Sequence, residues 1–347
     1  MAASKKKPFV FFFLAIVLVS IFMFALEWQK RRVPSLSVAS NKGIGSLFTL
    51  DGRLVAVYQD GRTCAWDWNV PEIKQADLII GSGRAIPLTG SSFATISLNA
   101  DRRLLSIYDL NTGKKTKDIT AGWEDHDIYL RNSNGYTMPI VVRRNPERDN
   151  AVEYEFVAVS LDAELLRPPV TVKLDAKTQT LRDYAVSDAG MLYAVGADNE
   201  KAHLLGVDLN TGQTLWEQRW ADMEELTTVA VSVDGKTVWV GDRSGQLLTV
   251  AAVDGHVLNN VSLLKKGEKR TVTNDYSVLN LIVSPDGRRL GCTIAPIAYV
   301  VDAETGDVTH RISRHKVVSK VAFSPDSCKL ATSDLRSNGT ILIWSLE

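Results

Sequence analysis

The sequence predicts an all-β fold, a seven-bladed β-propeller, on three observations. From residue 36 on, short apolar runs alternate with turn residues, and no stretch shows a sustained helical period. Residues 33–347, divided among seven units, give 45 residues each, a length typical of a four-stranded blade. Pairs of turn residues also recur at a mean interval near 46 residues. These pairs are Asp51-Gly52, Thr89-Gly90, Asn134-Gly135, Asp188-Ala189, Asp234-Gly235, Asp286-Gly287 and Asp326-Ser327.

Individual strands are readable in the later units. The fifth unit predicts strands over Thr227–Val233, Thr237–Asp242, Gln246–Val253 and His256–Leu263. In the sixth unit the predicted strands are Val278–Ser284, Arg289–Ile294, Ile297–Glu304 and Val308–Ser313. In the fourth unit they are Arg182–Ser187, Met191–Asp198, Ala202–Asn210 and Gln213–Trp220. The third carries a long polar hairpin between its middle strands. The last unit offers only three strands, so we expect a segment near 35–40 to supply the fourth and close the ring.

The first 32 residues predict a tail, a single transmembrane helix over 8–26 and a basic stem. Pro8 to Leu26 is a 19-residue run without charge, which spans roughly 28 Å as a helix. Lysines precede the run, and Trp28 follows it at the depth of the headgroups. A cleavable signal peptide is the alternative, although Met23 is bulky for the −3 position of its cleavage site.

Orientation depends on a nearly even count of basic residues on the two sides of this run. The short basic tail before it resembles an uncleaved signal sequence, which favours a propeller outside the cytoplasm, in the periplasm or a lumen. Arg31, Arg32 and Lys42 favour the opposite orientation. We therefore expect a single-pass membrane protein with an extracytoplasmic propeller.

Charge and cysteine content exclude several classes. The chain has 40 basic and 40 acidic side chains, but residues 1–32 hold six basic and one acidic, which leaves the body with a net charge of −5. An acidic body argues against nucleic-acid binding, which needs a basic surface. Three cysteines without a Cys-x-x-Cys pair exclude a disulfide scaffold and a cysteine zinc site.

The last unit resembles a WD40 repeat over its whole length. The stretch begins at His315, continues through Val321-Ala322-Phe323-Ser324-Pro325-Asp326 and ends at Trp344. In that family a His, a Ser or Thr, an Asp and a Trp form a buried network in each blade. The resemblance assigns His315, Ser333 and Trp344 to three of these positions, with Asn338 in place of the Asp, and it implies an interaction platform.

A second, weaker resemblance is to quinoprotein-type propellers, in which a tryptophan packs between blades. This resemblance rests on one segment, Gly206-Val207-Asp208-Leu209-Asn210-Thr211-Gly212-Gln213-Thr214-Leu215-Trp216. Two other units share the Asp-x-x-Thr-Gly part, at 109–113 and 302–306, where the glycine suits a tight turn. This family implies a periplasmic domain, either an assembly factor or an oxidoreductase.

No catalytic motif is present: the sequence has no Gly-x-Ser-x-Gly elbow, P-loop, His-Glu-x-x-His or dinucleotide-binding turn. We therefore expect no catalytic residue, no metal and no cofactor. The sequence favours a membrane-anchored, non-enzymatic platform for protein partners, or a subunit of a membrane complex, with the quinoprotein-like domain as the alternative.

Charged loops are the candidate partner-binding sites, because the loops that enter the blades line one face of a propeller. The loops before blades three and five are acidic, and those before blades six and seven are basic, which predicts a polarised face suited to a protein partner. An anionic membrane surface is a second possible contact for the basic side. The candidates are Trp123, Glu124, Asp125, Arg143, Arg144, Arg148, Trp220, Asp222, Glu224, Lys265, Lys266, Lys269, Arg270, Arg314 and Lys316.

Overall fold

A computed structural model describes 28 strands in the chain. The described residues are 35–36, 43–68, 73–79, 85–88, 90–99, 102–119, 127–129, 140–148, 151–158, 170–174, 180–198, 201–220, 222–265, 276–315, 317–334 and 339–347. The strands up to the third sheet are β1 (Ser35–Leu36), β2 (Ile44–Leu50), β3 (Arg53–Tyr58), β4 (Arg62–Asp67), β5 (Ile73–Ile79), β6 (Ala85–Pro87), β7 (Ser92–Asn99), β8 (Arg102–Asp109), β9 (Lys114–Ile119), β10 (Asp127–Tyr129), β11 (Ile140–Arg148), β12 (Ala151–Ala158) and β13 (Val170–Leu174).

The remaining strands are β14 (Thr180–Val186), β15 (Met191–Asp198), β16 (Lys201–Asp208), β17 (Gln213–Trp220), β18 (Leu226–Val231), β19 (Thr237–Asp242), β20 (Gln246–Ala251), β21 (Val257–Ser262), β22 (Leu279–Val283), β23 (Arg289–Ile294), β24 (Ile297–Asp302), β25 (Val308–Ile312), β26 (Val318–Phe323), β27 (Lys329–Asp334) and β28 (Ile341–Ser345).

These strands form seven antiparallel sheets of four within the described part of the chain. Six sheets take four consecutive strands each, from β2–β5 to β22–β25. The seventh has the order β1-β28-β27-β26, with Ser35 paired with Leu342 and Leu36 with Ile341. The chain before β2 thus supplies the outermost strand of the last sheet.

The first strands of successive sheets lie side by side. β14 contacts β18, β18 contacts β22, β22 contacts β26, β26 contacts β2, and β2 contacts β6. Sheets that meet along their first strands and expose their fourth are arranged radially, as in a β-propeller. The burial pattern agrees: β19 is buried at five of six positions, whereas β21 alternates between half-buried and exposed residues.

Turn chemistry explains the hairpin between the first two strands of a sheet. In the fifth sheet, Asp234 Oδ1 accepts hydrogen bonds from Ser232 Oγ at 2.6 Å and from the Lys236 N–H at 3.1 Å. Gly235 follows with a φ of 71°, in the left-handed region that glycine adopts without strain. The turns after β22 and β26 repeat these carboxylate bonds with Asp286 and Asp326.

Apolar side chains from neighbouring sheets pack together to form the core. One cluster joins the seventh sheet to the first through Leu36, Ile341, Tyr58 and Trp66, all of them buried. Others join the fourth sheet to the fifth and the fifth to the sixth. The core is therefore divided into layers between sheets, and each sheet depends on its neighbours for burial.

The strands predicted in the fourth to sixth sheets agree with the structure to within three residues at each boundary, and the all-β prediction is confirmed. The polar hairpin expected in the third sheet is formed by β11 and β12, where Arg148 pairs with Ala151. Within the described residues no helix is long and apolar enough to cross a membrane. The predicted transmembrane segment, 8–26, lies outside the described residues.

Candidate interaction face

Each sheet has two ends. We call the end at which the first strand begins the interaction face, since the loops that precede the first strands lie there. The opposite end carries the turns between first and second strands and between third and fourth strands, and we call it the turn face. Because neighbouring strands are antiparallel, the turn between the second and third strands lies on the interaction face.

The described candidates from the sequence lie on the interaction face. Asp222 and Glu224 are exposed between β17 and β18. Lys265 is exposed after β21, and Arg314 is exposed after β25. Trp220, the last residue of β17, is half-buried and packs against the core between the fourth and fifth sheets. Acidic and basic side chains thus occupy different loops of one face.

For the other candidates, the structure describes only the backbone or does not describe the residue. The second strand of the third sheet, β11, carries Arg143, Arg144 and Arg148 and runs toward the interaction face, but only its backbone is described. Seven more candidates lie outside the described residues: Trp123, Glu124, Asp125, Lys266, Lys269, Arg270 and Lys316. The polarisation across the whole face therefore stays a prediction.

A belt of hydrogen bonds at the start of the first strands supports this face. Asp183 Oδ2 of the fourth sheet accepts bonds from Thr228 Oγ1 at 2.7 Å and from the Val229 N–H at 3.3 Å in the fifth. Thr227 Oγ1 donates to the carbonyl of Val278, 2.6 Å away, at the start of the sixth. Polar side chains thus link these sheets at their inner strands.

The belt continues from the sixth sheet to the seventh and beyond. Asn280 Nδ2 donates to the Ser319 carbonyl at 2.7 Å, and Lys320 Nζ donates to Asn280 Oδ1 at 2.9 Å. At the opposite end of these strands, on the turn face, Thr49 Oγ1 of the first sheet donates to the carbonyl of Phe323 at 2.6 Å. Ser46 Oγ accepts from the Ala85 N–H of the second sheet at 2.9 Å.

β-Bulges bring most of these side chains into position. The register shifts between Ile44 and Ser46 in β2, and similar shifts occur near the start of β14, β18, β22 and β26. A bulge adds one residue to one strand and re-aims the side chains beside it. Strand alternation alone therefore assigns these residues to the wrong side, which is why sequence reasoning missed the belt.

Glu225 makes a second link between the fourth and fifth sheets on this face. Arg182, at the start of β14, forms an ion pair with Glu225 through Nε. Arg243, after β19, places Nη1 3.8 Å from the other carboxylate oxygen of Glu225. The two arginines hold the acidic loop before β18 close to both sheets.

The buried network of the last sheet differs from the one that the WD40 resemblance assigned. Thr332 Oγ1, rather than Ser333, lies 2.7 Å from His315 Nε2 and accepts a bond from Trp344 Nε1 at 2.9 Å. Ser333 Oγ instead lies 3.0 Å from Ser319 Oγ. Because Leu330 pairs with Trp344, the same-face neighbour two residues along β27 is Thr332, and this pairing could have identified it.

An aspartate also belongs to this network. His315 Nδ1 lies 3.6 Å from Asp334 Oδ2, and both side chains are buried. Asn338, expected at the acidic position, lies outside the described residues. Burial lowers the pKa of His315 below 6.5, and the carboxylate of Asp334 offsets part of that effect. His315 is therefore neutral at pH 7 and acts as a hydrogen-bonded part of the core.

The tryptophan of the quinoprotein-like repeat packs between sheets, as that resemblance implies. Trp216 Nε1 donates to the carbonyl of Ala252 in the fifth sheet at 3.0 Å. Its ring covers Gly206 and Gly255, where an added Cβ would lie 2.3 Å and 2.7 Å from ring carbons. Asp208 uses its carboxylate within its own turn, bonding Thr211 Oγ1 at 3.0 Å.

Those contacts show that Trp216 packs between two sheets and that the Asp208 carboxylate is used within its own turn. The equivalent turn of the sixth sheet is similar, because Asp302 Oδ1 accepts a hydrogen bond from the Thr305 N–H at 2.9 Å. Within the described residues, no three His, Cys, Asp or Glu side chains gather as metal ligands.

Comparison with known proteins agrees with a propeller. A family model described as outer membrane protein assembly factor BamB matches residues 170–307, from β13 to the turn before β25. The segment includes Trp216. No curated protein matches the chain significantly.

A solved structure matches more of the chain. The β-propeller domain of Cps50 (Swd1) from Myceliophteria thermophila aligns with a TM-score of 0.63 over 90% of this chain and 98% of that domain, at 15% identity. An identity this low shows the fold and not the function. The chain is a β-propeller that resembles both WD40 and quinoprotein-like propellers.

Proposed function

We propose that the chain is a membrane-anchored, non-enzymatic platform that binds a protein partner on its interaction face. In this proposal, residues 8–26 span the bilayer, seven blades close into one ring through β1, and the propeller lies outside the cytoplasm. The observation that most supports this proposal is the set of hydrogen bonds between the first strands of neighbouring sheets. It holds the interaction face rigid, and a rigid face that exposes charged loops binds with little loss of conformational entropy.

The exposed charges favour a partner that is itself polarised. Asp222 and Glu224 lie on the loop before β18, and Lys265 and Arg314 lie on the loops before β22 and β26. Charges placed in this way speed association and select the orientation of the partner. The partner is expected to share the same membrane, as a subunit of one complex.

Cross-linking in intact membranes, followed by mass spectrometry, tests this proposal. We expect cross-links from Lys265 to a reproducible partner, and we expect K265E together with R314E to reduce its recovery about tenfold. K236E is the matched control, because the Lys236 side chain is exposed on the turn face. Equal recovery from the double variant and the control would show that the face is not used.

A second candidate function is an extracytoplasmic assembly factor related to the quinoprotein-like propellers. The match to the BamB model over residues 170–307 and the inter-sheet position of Trp216 favour it. An oxidoreductase of that class would carry a bound quinone or metal. An absorption spectrum and metal analysis of the purified chain distinguish an oxidoreductase from an assembly factor. A bound quinone or metal would overturn the non-enzymatic proposal, and neither is expected for an assembly factor.

A further inference from the structure

Leu279 is the one large apolar residue that the described part of the chain exposes on the interaction face. It begins β22 and is 44% exposed. First strands are the innermost strands of their sheets, so Leu279 lies toward the centre of the face, whereas Lys265 and Arg314 follow fourth strands and lie toward its rim. The other exposed large apolar residues lie in turns of the turn face or near the strand ends there: Leu215, Val233, Val253, Leu258 and Val308.

The exposure of Leu279 is contrary to the strand pattern. Side chains two residues apart in a strand lie on the same side of a sheet, and Leu281 and Val283, at the next two such positions, are both buried. Asn280 interrupts this alternation, because its φ of 54° lies in the left-handed region and the register of β22 shifts at this point. The other non-glycine residues with a positive φ in the described part of the chain lie in hairpin turns.

Hydrogen bonds hold Asn280 in this conformation. Its Nδ2 donates to the Ser319 carbonyl at 2.7 Å and to Thr293 Oγ1 at 3.0 Å, and its Oδ1 accepts from Lys320 Nζ at 2.9 Å. Thr293 Oγ1 also donates to the carbonyl of Leu279 at 3.2 Å. A residue with such a φ persists only where its surroundings hold it, and such residues cluster at functional sites. The backbone beside Leu279 is therefore fixed, with the side chain presented to solvent.

The corresponding position in other sheets does not carry a large apolar side chain. Leu279 follows a buried residue, Val278, at the start of its first strand. In the first, fifth and seventh sheets the residue that follows the equivalent buried residue is small and half-buried, namely Gly45, Thr227 and Ser319. The two hydroxyl residues form hydrogen bonds inside the propeller, which a leucine cannot do. The side chain of Leu279 therefore does not replace the links that its counterparts make.

We propose that Leu279 is the apolar anchor of the interaction face and inserts into an apolar pocket, bordered by carboxylates, on the protein partner. This inference rests on the proposed function, since it names the chemistry of the partner at the same face. Interfaces commonly combine a central apolar anchor with a charged rim. Lys320, beside Asn280, and the exposed Lys265 and Arg314 provide cations for the carboxylates of the partner.

The observations favour a protein over a bilayer as the occupant of this face. Asp222 and Glu224 are exposed on it, and anionic headgroups would repel their carboxylates. Binding to a lipid surface also increases with the apolar area that is buried, and the described part of this face exposes one large apolar side chain. A protein pocket can match a single leucine together with charges of both signs around it.

Cross-linking of the full chain in intact membranes tests the contact. An aliphatic amino acid that carries a diazirine replaces Leu279, or replaces Leu258 as the control, because Leu258 is 58% exposed near the turn face. In parallel, a carbodiimide joins Lys265 to any carboxylate in direct contact with it. We expect illumination of the probe at position 279 to label an apolar residue of one protein, and Lys265 to be joined to an aspartate or glutamate of that same protein.

Variants of the same residues measure the size of the effect. L279A is expected to reduce recovery of the partner about thirtyfold, as for a central anchor, and L258A less than about twofold. The two variants should have the same urea midpoint, because both side chains are exposed. N280G can adopt the left-handed conformation and N280V cannot, so N280V should reduce recovery more than N280G does.

Several results would overturn the proposal. The probe at position 279 could label lipid alone, label its own chain alone, such as residues 266–275, or label no more protein than the probe at position 258. Equal recovery from L279A and L258A would overturn it too, as would a lower urea midpoint for L279A, which would mean that Leu279 packs within the chain. If K265E with R314E loses the partner and L279A retains it, the anchor alone is wrong. If L279A loses the partner and the charge variant retains it, the charged loops of the proposed function are wrong.

Discussion

At the scale of single residues, polar side chains as well as apolar ones join the sheets of this propeller. Thr228 is buried and lies between two sheets: it donates to Asp183 and its Oγ1 lies 3.4 Å from the Leu281 N–H. Burial of a hydroxyl is favourable only with such partners. The links fix how each sheet sits against the next, which apolar packing alone leaves less strictly defined.

His315 makes the stability of the last sheet depend on pH. Its folded-state pKa is lowered by burial, so the unfolded chain binds more protons as the pH falls below 6.5. Stability is therefore fully present above pH 6.5 and is lost as the pH falls toward the folded-state value. We expect the urea midpoint to decrease between pH 7.5 and 5.5, and H315Q to show a smaller decrease.

An exposed histidine provides the control for this prediction. H256Q removes a side chain that is exposed, and it should leave the pH dependence of the wild type unchanged. His310 also has a pKa lowered by burial, so H315Q should keep part of the slope. An unchanged slope in H315Q would mean that the network around Thr332 is not closed as described.

Gly206 provides a second prediction at this scale. A Cβ there would lie 2.3 Å from Trp216 Cε2, so G206A forces the indole away from the fifth sheet. We expect a loss of about 1–3 kcal/mol of unfolding free energy, as for other overpacked cores. Chemical denaturation measures it. W216L, which removes the ring, should make the added methyl tolerable, so a double variant as unstable as the sum of the two singles would contradict the packing described.

At the scale of elements, regular strands follow from the sequence where the turn residues are explicit. Asp234-Gly235 and Asp286-Gly287 mark hairpins whose strands begin and end within a few residues of their predicted positions. The β-bulges of the first strands cannot be predicted from the sequence in this way. Their positions are set by contacts between sheets, and these contacts leave no local pattern in the sequence. The WD40 resemblance assigns Ser333 rather than identifying Thr332 for a related reason: the position depends on the register between β27 and β28.

The two-residue strand β1 is expected to matter more than its length suggests. Leu36 is 3% exposed and packs with Ile341 and Trp66 between the seventh and first sheets. L36A should cost about 2–5 kcal/mol of unfolding free energy, as for a buried leucine. L258A, on the outermost strand of the fifth sheet, is the control, because Leu258 is 58% exposed. Equal urea midpoints for the two variants would show that β1 does not close the ring.

At the scale of the whole molecule, the pairing of β1 with β28 sets the direction in which β1 runs. Ser35 pairs with Leu342 and Leu36 with Ile341, so β1 begins toward the end of the sheet where β28 finishes. Ser345 there pairs with Lys329, directly after the turn that contains Asp326. β1 thus begins on the side of the turn face.

This direction orients the propeller relative to the proposed anchor. If residues 8–26 span the bilayer, we expect the turn face to lie toward the membrane and the interaction face away from it, roughly 20 Å farther out for strands of six residues. Fluorophores on D234C and D222C, in a C328S background, report the two faces. We expect nitroxide lipids to quench the label at position 234 more strongly than the label at position 222. The two positions are matched, since both aspartates are exposed in turns or loops of the fifth sheet. Stronger quenching at position 222 would place the interaction face on the membrane and make the bilayer, rather than a protein, its partner.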